Sequence, residues 1–243
     1  MFKKFYSLLL SPIKRLLLYP PFRYKFLFSD IIHPHPDELI LKSAFSFANH
    51  SNVGGDYLEF GVWKGRSFAR AYNIWKHLLN KNSNLKDMRF YAFDSFEGLP
   101  EITSQEDKVT GEFKKGEYNA SVNVFKEYIT EKGVALERVE IIKGWYSEVL
   151  NDKTKKRLAL KKAAVIFVDS DLYESAVQVL DFVTNYIADG TVIIFDDWFC
   201  FRGNPNHGEQ LAFRDWLSKY PEITASEYQR FNWKGNSFIL HKQ

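Results

Sequence analysis

Two apolar runs, each followed directly by aspartates, restrict the fold of this chain more than any other feature. Residues 163–168 (AAVIFV) and 191–195 (TVIIF) lack the alternation of polar and apolar side chains that a strand with one exposed face shows. Strands buried on both faces have this pattern, and they occur in parallel sheets covered by helices. Because strand and helix patterns alternate along the chain, we predict an α/β fold with a doubly wound parallel sheet.

The aspartates after these runs are predicted to lie together, since ligands of such sheets bind beyond the carboxyl ends of the strands. Asp169 follows the first run and Asp196 and Asp197 follow the second, on strands ~4.8 Å apart if they are neighbours. Carboxylates that close raise one another's pKa unless a cation lies between them. We therefore predict that these three residues bind a hard divalent ion, magnesium. Asp171 is predicted instead to cap the next helix, with Glu174 completing a capping box.

Residues 56–67 (DYLEFGVWKGRS) are predicted to form a strand, a tight turn and the start of a helix. Gly61 and Gly65 would let the backbone approach a ligand, and the helix N-terminus offers unpaired N–H groups. The Glu-x-Gly-x-x-x-Gly spacing matches neither the dinucleotide fingerprint nor the phosphate loop. We interpret the stretch as a cofactor-binding turn, and an ordinary strand-to-helix turn is the alternative.

Two further strand ends carry candidate cofactor contacts. Asp94 ends a strand predicted over residues 89–93, where α/β folds bind ribose hydroxyls; a turn or N-cap aspartate is the alternative. Trp145, after a strand at 139–142, can stack on an adenine or belong to the rim of the core. The charged residues 101–116 are predicted to form a mobile loop over this site.

Residues 1–35 are predicted to be a basic amphipathic extension, and residues 36–243 a single domain. Six basic and no acidic residues occur in positions 1–29, so the rest of this chain of net charge +3 sums to −3. This local charge argues against a nucleic-acid-binding face. Basic and apolar side chains lie on opposite sides of a helical projection, which is the pattern of a helix on an anionic membrane surface. Packing of the apolar side on the core or on a second subunit is the slightly favoured alternative. The six residues are Lys3, Lys4, Lys14, Arg15, Arg23 and Lys25.

Neither a membrane-spanning segment nor a signal peptide is predicted, so we expect a cytoplasmic protein, with the inner face of the cell membrane as its peripheral site. The single cysteine, Cys200, excludes an internal disulfide and a cysteine-based zinc site. His33 and His35 are predicted to lie in a proline-stiffened loop, with metal binding as the alternative.

Four stretches, GDYLEFGVWKGRS, FDSFEGLP, VDSDLYES and IIFDDW, resemble in order and separation the macrocin O-methyltransferase family of class I S-adenosylmethionine-dependent methyltransferases. The similarity covers about residues 54–242. It implies a Rossmann-like, seven-stranded sheet that is mostly parallel with an antiparallel last strand, here a hairpin of residues 228–231 and 237–241. It also implies methylation of a sugar hydroxyl and magnesium bound by Asp169, Asp196 and Asp197.

The same resemblance implies which residues contact S-adenosylmethionine, and it makes Asp169 both a metal ligand and the general base. His207 is a second candidate base; the alternative is a helix start with Asn206 as its cap. The implied cofactor contacts are Glu59, Gly61, Val62, Gly65, Ser67, Asp94, Ser95, Trp145 and Asp169.

The expected acceptor is a glycan, a glycolipid or a glycosylated small molecule, and a homo-oligomer is compatible with the sequence. A nicotinamide oxidoreductase is disfavoured because the third glycine of its fingerprint is missing. A catalytically degenerate methyltransferase fold that serves as a binding or membrane-scaffold protein is the alternative function.

Overall fold

The computed structural model describes residues 35–79, 84–108 and 113–242. The chain divides into two units, residues 1–36 and 37–243, and the second contains the fold described below. The predicted basic segment of residues 1–29 and His33 lie outside the described residues. Within the described ranges, no helix has both the length and the apolar character needed to cross a membrane.

A seven-stranded sheet forms the centre of the fold, with the strand order β3-β2-β1-β4-β5-β7-β6. Strand β7 runs antiparallel to both of its neighbours, and the other pairs are parallel. The predicted mixed, mostly parallel sheet is therefore confirmed. The strands are β1 Asp56–Phe60, β2 Phe90–Asp94, β3 Val139–Lys143, β4 Ala163–Val168, β5 Ile187–Phe195, β6 Ile223–Glu227 and β7 Asn236–Lys242.

Helices cover both faces of the sheet, and the central strand β4 shows why its sequence is apolar without alternation. Its Val165 and Phe167 belong to a core with the first three helices, whereas Ile166 and Val168 belong to a core with the last two long helices. Both faces of this strand are thus removed from water. The helices are α1 Pro36–His50, α2 Arg66–Leu79, α3 Val122–Glu131, α4 Tyr146–Val149, α5 Asp152–Arg157, α6 Tyr173–Val183 and α7 Gly208–Lys219.

The final hairpin differs from the prediction in its first strand. Strand β6 lies at Ile223–Glu227, so the strand predicted at residues 228–231 is wrong. The register runs from the pair Ile223 and Lys242 to the pair Glu227 and Phe238, and the chain beyond it forms a long connection. Residues 231 and 235 close that connection through a single bridge. The aromatic residues at 228 and 231 resemble a strand in sequence, but they belong to this connection.

Candidate active site

The carboxyl ends of the central parallel strands border a cavity of about 460 Å³. Its position agrees with the rule that ligands of doubly wound sheets bind beyond the strand ends. Among the predicted site residues, those that line it are Gly61, Asp94, Ser95, Trp145, Asp169 and Asp196.

The turn after β1 needs its two glycines for different reasons. At Gly61, whose φ is +85°, a Cβ atom would lie 1.8 Å from the carbonyl oxygen of Asp169, so the turn passes directly against the end of β4. At Gly65, whose φ is +89°, a Cβ atom would lie 2.6 Å from Ile129 and 2.9 Å from Phe125 of α3. Gly61 thus shapes the cavity, whereas Gly65 allows the turn to pack on α3.

Glu59 is fully buried beneath this turn and connects β1 to α2. Its two carboxyl oxygens each accept a 2.5 Å hydrogen bond, one from the hydroxyl of Tyr57 and one from that of Ser67. Burial raises its pKa to about 8, although both hydrogen bonds act in the opposite direction. Glu59, Val62, Gly65 and Ser67 are not among the residues that line the cavity, so their contact with a cofactor stays a prediction.

Asp94 organises the turn and also faces the cavity. Its carboxylate accepts hydrogen bonds from the backbone N–H groups of Val62 (2.8 Å), Trp63 (3.0 Å) and Phe96 (2.6 Å). Burial raises its pKa, and these three bonds oppose the shift. A carboxylate has about four acceptor positions, so one is left for a ligand hydroxyl. Ser95 donates to the carbonyl of Gly98 at 2.9 Å and closes the following turn.

The loop that was predicted to be mobile is anchored over part of its length. Asp107 accepts hydrogen bonds from the backbone N–H groups of Tyr173 (2.7 Å) and Glu174 (3.4 Å), and from the hydroxyl of Ser104 (2.7 Å). It thereby caps α6 from a distant part of the chain. The capping box predicted for Asp171 is wrong: the N-cap residue is Leu172, and Asp171 has φ +60°.

Three carboxylates at the ends of β4 and β5 form one cluster. Oxygens of Asp169, Asp171 and Asp197 lie within 4.8 Å of one another, so Asp171 joins two of the predicted ligands. Burial raises the pKa values of Asp169 and Asp171 well above their usual range, and the neighbouring aspartates add to both shifts. The pKa of Asp196 rises to about 6, through burial first and the charge of Asp197 second.

A lysine from the final hairpin lies against the aspartate pair, which sequence reasoning missed. The ammonium of Lys234 contacts Asp196 at 2.8 Å and Asp197 at 2.5 Å. Burial disfavours its charge, but Asp197 and Asp196 attract it strongly enough to raise its pKa. Asn232, with φ +44°, accepts hydrogen bonds from the backbone N–H groups of Lys234 and Gly235 and shapes this turn.

The remaining charge balance fits a hard divalent cation. Glu209 is buried beside the pair and accepts from the backbone N–H of Asp197 at 3.0 Å. Among the described residues, one oxygen each of Asp196, Asp197 and Glu209 is buried without a hydrogen-bond partner. Buried carboxylates of this kind are unfavourable unless a cation or a proton compensates them, and oxygen donors suit magnesium.

His207 occupies a different position from the cluster. It is the N-cap residue of α7, so the prediction of Asn206 as the cap is wrong. Its Nδ1 lies 3.0 Å from the carbonyl oxygen of Glu106, and its ring stacks near Phe201. His207 is not among the residues that line the cavity, and its role as a base stays a prediction.

The family model described as "Macrocin-O-methyltransferase (TylF)" matches residues 39–214. The chain belongs to this family. The predicted resemblance is thereby confirmed over most of the domain, including the glycine turn, Asp94 and the aspartates after β4 and β5.

Two curated relatives are named as O-methyltransferases. The 8-demethyl-8-(2,3-dimethoxy-alpha-L-rhamnosyl)-tetracenomycin-C 4'-O-methyltransferase of Streptomyces olivaceus is 30% identical over 150 residues, covering 60% of this chain and 54% of that protein. The mycinamicin III 3''-O-methyltransferase of Micromonospora griseorubida is 27% identical over 164 residues, covering 65% of this chain and 61% of that protein. The matches thus span less than two thirds of these relatives.

The fold agrees with solved structures of this class. The O-methyltransferase NovP superposes with a TM-score of 0.70 at 20% sequence identity, covering 84% of this chain and 79% of that one. The likeness supports the predicted Rossmann-like architecture.

Proposed function

We propose that this protein transfers a methyl group from S-adenosylmethionine to a sugar hydroxyl of a glycosylated small molecule, a glycan or a glycolipid. Membership of the macrocin O-methyltransferase family and the names of the two curated relatives support this proposal. The observation that carries it is the shared cavity, which is bordered by the glycine turn, Asp94 and the buried aspartates.

In this proposal different lining residues bind the cofactor and the acceptor. Gly61, Asp94, Ser95 and Trp145 hold the cofactor, with Asp94 accepting a ribose hydroxyl. The acceptor hydroxyl lies against the aspartates. Its oxygen forms a bond to the methyl carbon as the sulfur–methyl bond breaks, and its proton passes to a carboxylate. The products are a methyl ether and S-adenosylhomocysteine.

Asp169 is the proposed proton acceptor, because it lines the cavity at the end of β4. A carboxylate within hydrogen-bond reach of the acceptor hydroxyl can serve as its general base. His207 is a weaker candidate, because its Nδ1 already contacts the Glu106 carbonyl. Holding the sugar and the methyl group in one cavity also removes the entropic cost of bringing them together.

We further propose that Asp169, Asp196 and Asp197 bind magnesium. The unpartnered oxygens of Asp196 and Asp197 support this assignment, as does the position of Asp169 within 4.8 Å of Asp197. When bound, the ion would orient the sugar hydroxyl and lower its pKa. A degenerate, non-catalytic fold is the competing proposal. The buried, strongly interacting carboxylates argue against it, because perturbed titratable groups in a cavity are characteristic of catalytic sites.

Isothermal titration calorimetry with S-adenosylhomocysteine, before and after addition of magnesium chloride, tests the proposal. We expect micromolar cofactor binding, followed by transfer of labelled methyl groups to glycosides. Asp196→Ala should abolish magnesium-stimulated transfer, whereas Asp181→Ala, at a surface pair with Lys219, should not. A folded, ligand-free sample that does not bind S-adenosylhomocysteine would overturn the methyltransferase assignment.

A further inference from the structure

Two aromatic side chains at the cavity are exposed although they are large and apolar. Trp63 retains 40% and Tyr118 54% of its accessible surface, and both line the cavity. Their ring centroids are 6.1 Å apart with an interplanar angle of 86°. The ammonium of Lys64 lies over the Trp63 ring, 4.6 Å from its centroid. Because an edge-to-face pair uses the face of only one ring, other faces of the pair are still left for a further contact.

Both residues are held in an unfavourable backbone conformation. Trp63 has φ +44° and Tyr118 has φ +59°, in the left-handed region that side chains larger than glycine rarely adopt. Such conformations persist where the surrounding structure enforces them, and they concentrate at functional sites. For Trp63 the enforcing contact is visible, because its backbone N–H donates to Asp94. The hydrogen bond to Asp94 therefore holds the backbone of Trp63 beside the cavity.

The pair lines the same cavity as the carboxylates of Asp169, Asp171 and Asp196. The pKa of the Tyr118 phenol is raised, first by burial and then by the charges of Asp171 and Asp197, while Lys234 opposes the shift. An aromatic surface and a set of hydrogen-bond acceptors thus border the same space. A pyranose matches both, since its C–H groups form an apolar face and its hydroxyls are hydrogen-bond donors.

We propose that Trp63 and Tyr118 form the acceptor-binding wall of the cavity, on which the C–H face of a pyranose stacks while a hydroxyl points at the aspartates. This inference rests on the proposed function and specifies which residues select its acceptor. Stacking would orient the sugar ring, and the edge-to-face geometry would restrict which face it presents. Asp94, Ser95 and Trp145 line the same cavity and are assigned to the cofactor. The backbone N–H of Trp63 donates to Asp94, so the acceptor-binding wall adjoins the cofactor residues.

Saturation-transfer difference NMR tests this assignment without turnover. The probes are methyl α-D-glucopyranoside, methyl α-D-galactopyranoside, methyl α-L-rhamnopyranoside and methyl α-L-fucopyranoside, each with the protein saturated by S-adenosylhomocysteine. We expect transfer to the ring C–H protons of at least one probe. Trp63→Ala and Tyr118→Ala should weaken its binding about tenfold, as loss of an aromatic contact predicts. Trp63→Phe and Tyr118→Phe should retain most of the affinity.

Trp233→Ala provides the matched control, because Trp233 is 75% exposed and is not among the lining residues. It should leave pyranoside binding unchanged. The inference is overturned if no probe receives saturation, or if both alanine variants bind the probe as the unchanged protein does. It is also overturned if they weaken S-adenosylhomocysteine binding, because the pair would then belong to the cofactor site.

The proposed function can fail separately. Pyranoside binding that depends on Trp63, in a protein that transfers no methyl group, would support the acceptor-binding wall and contradict the proposed methyltransferase activity. Methyl transfer to a glycoside that is unaffected by both alanine substitutions would support the activity and contradict the wall.

Discussion

Lys234 shares the cavity with more carboxylates than its single charge can balance. Asp197 is 1% exposed and Asp196 14%, so both depend on the contact with the lysine ammonium. Removing one partner of such a group leaves charges that are buried without compensation. The lysine thus provides part of the compensation that sequence reasoning assigned to a metal ion.

Lys234→Met should lower the free energy of unfolding in metal-free buffer by about 3 kcal/mol, the usual cost of breaking a buried ion pair. Magnesium chloride should recover more of this loss than it adds to the unchanged protein, if the aspartates bind the ion. Urea unfolding with and without magnesium measures both effects. Lys219→Met is the control, because its pair with Asp181 is exposed and should contribute less than about 1 kcal/mol. Equal losses in the two variants would contradict the prediction.

The carboxyl group of Glu59 keeps its proton to a higher pH in the native state than in the unfolded chain. Its pKa is about 8 in the fold, against an ordinary value of 4.5. Between these values the native state binds more protons than the unfolded state, so its contribution to stability falls as pH rises. This contribution is fully present below pH 4.5 and is lost by pH 8.

Glu59→Gln should therefore gain stability relative to the unchanged protein as pH increases from 5 to 8. The gain approaches about 1.4 kcal/mol per pH unit as an upper limit. Glutamine can still accept from Ser67, and its NH2 group can donate to the Tyr57 oxygen, which keeps both contacts but reverses the direction of the hydrogen bond with Tyr57. Urea unfolding of both proteins at four pH values measures the difference, and parallel pH profiles would refute the prediction.

The N-terminus of α6 depends on a side chain that lies 66 residues earlier in the chain. Asp107 is 4% exposed, and it joins the loop after β2 to this helix. Thr103 strengthens the connection through hydrogen bonds to Glu174 at 3.1 and 3.2 Å. The helix starts next to Asp171, so the cap also supports one side of the acidic cluster.

Asp107→Ala should lower the free energy of unfolding by about 1–2 kcal/mol, as for other helix caps. It should also speed amide hydrogen exchange in residues 103–108 and in the first turn of α6. Ser121→Ala is the matched control, because Ser121 caps α3 locally by accepting from the backbone N–H of Val124. It should cost about 1 kcal/mol without changing exchange in the loop. Unaltered loop exchange in Asp107→Ala would contradict the anchoring role.

Strand and helix patterns predicted the order of the elements, and the apolar runs predicted which strands are central. These signals are local, since burial on both faces is visible within six residues of β4. Asp107 and Lys234 could not be found in this way, because their partners are 66 and 37 residues away. The helix start at Asp171 was misjudged because a capping box in sequence does not reveal a left-handed backbone. Likewise, the aromatic residues of the β6–β7 connection resemble a strand.

The positive charge of the chain is concentrated in residues 1–29, which favours attachment of this segment to an anionic surface. Residues 1–29 contain six basic and no acidic residues, whereas the remaining chain sums to −3. Each basic residue close to an anionic membrane contributes about 1 kcal/mol of attraction. The attraction falls with ionic strength, because the Debye length shortens from about 10 Å at 0.1 M to about 3 Å at 1 M salt.

The full chain should therefore float with vesicles of phosphatidylcholine and phosphatidylglycerol at 0.1 M salt. With vesicles of phosphatidylcholine alone it should stay unbound at the bottom of the gradient. Raising the salt to 1 M should release most of the bound protein, because screening weakens the electrostatic part of the attraction. Replacing the six basic residues of positions 1–29 by glutamine should abolish flotation. A control variant, equal in charge, carries the same change at six exposed lysines: Lys114, Lys115, Lys126, Lys132, Lys153 and Lys161.

If the control floats and the N-terminal variant does not, the position of the charges decides binding, as for a peripheral segment. If both variants float like the unchanged chain, membrane contact through residues 1–29 is refuted, and packing of that segment on protein becomes the better explanation. If both variants lose binding equally, net charge alone accounts for the attraction. A lipid-linked acceptor would then have to reach the cavity without help from a membrane-bound N-terminus.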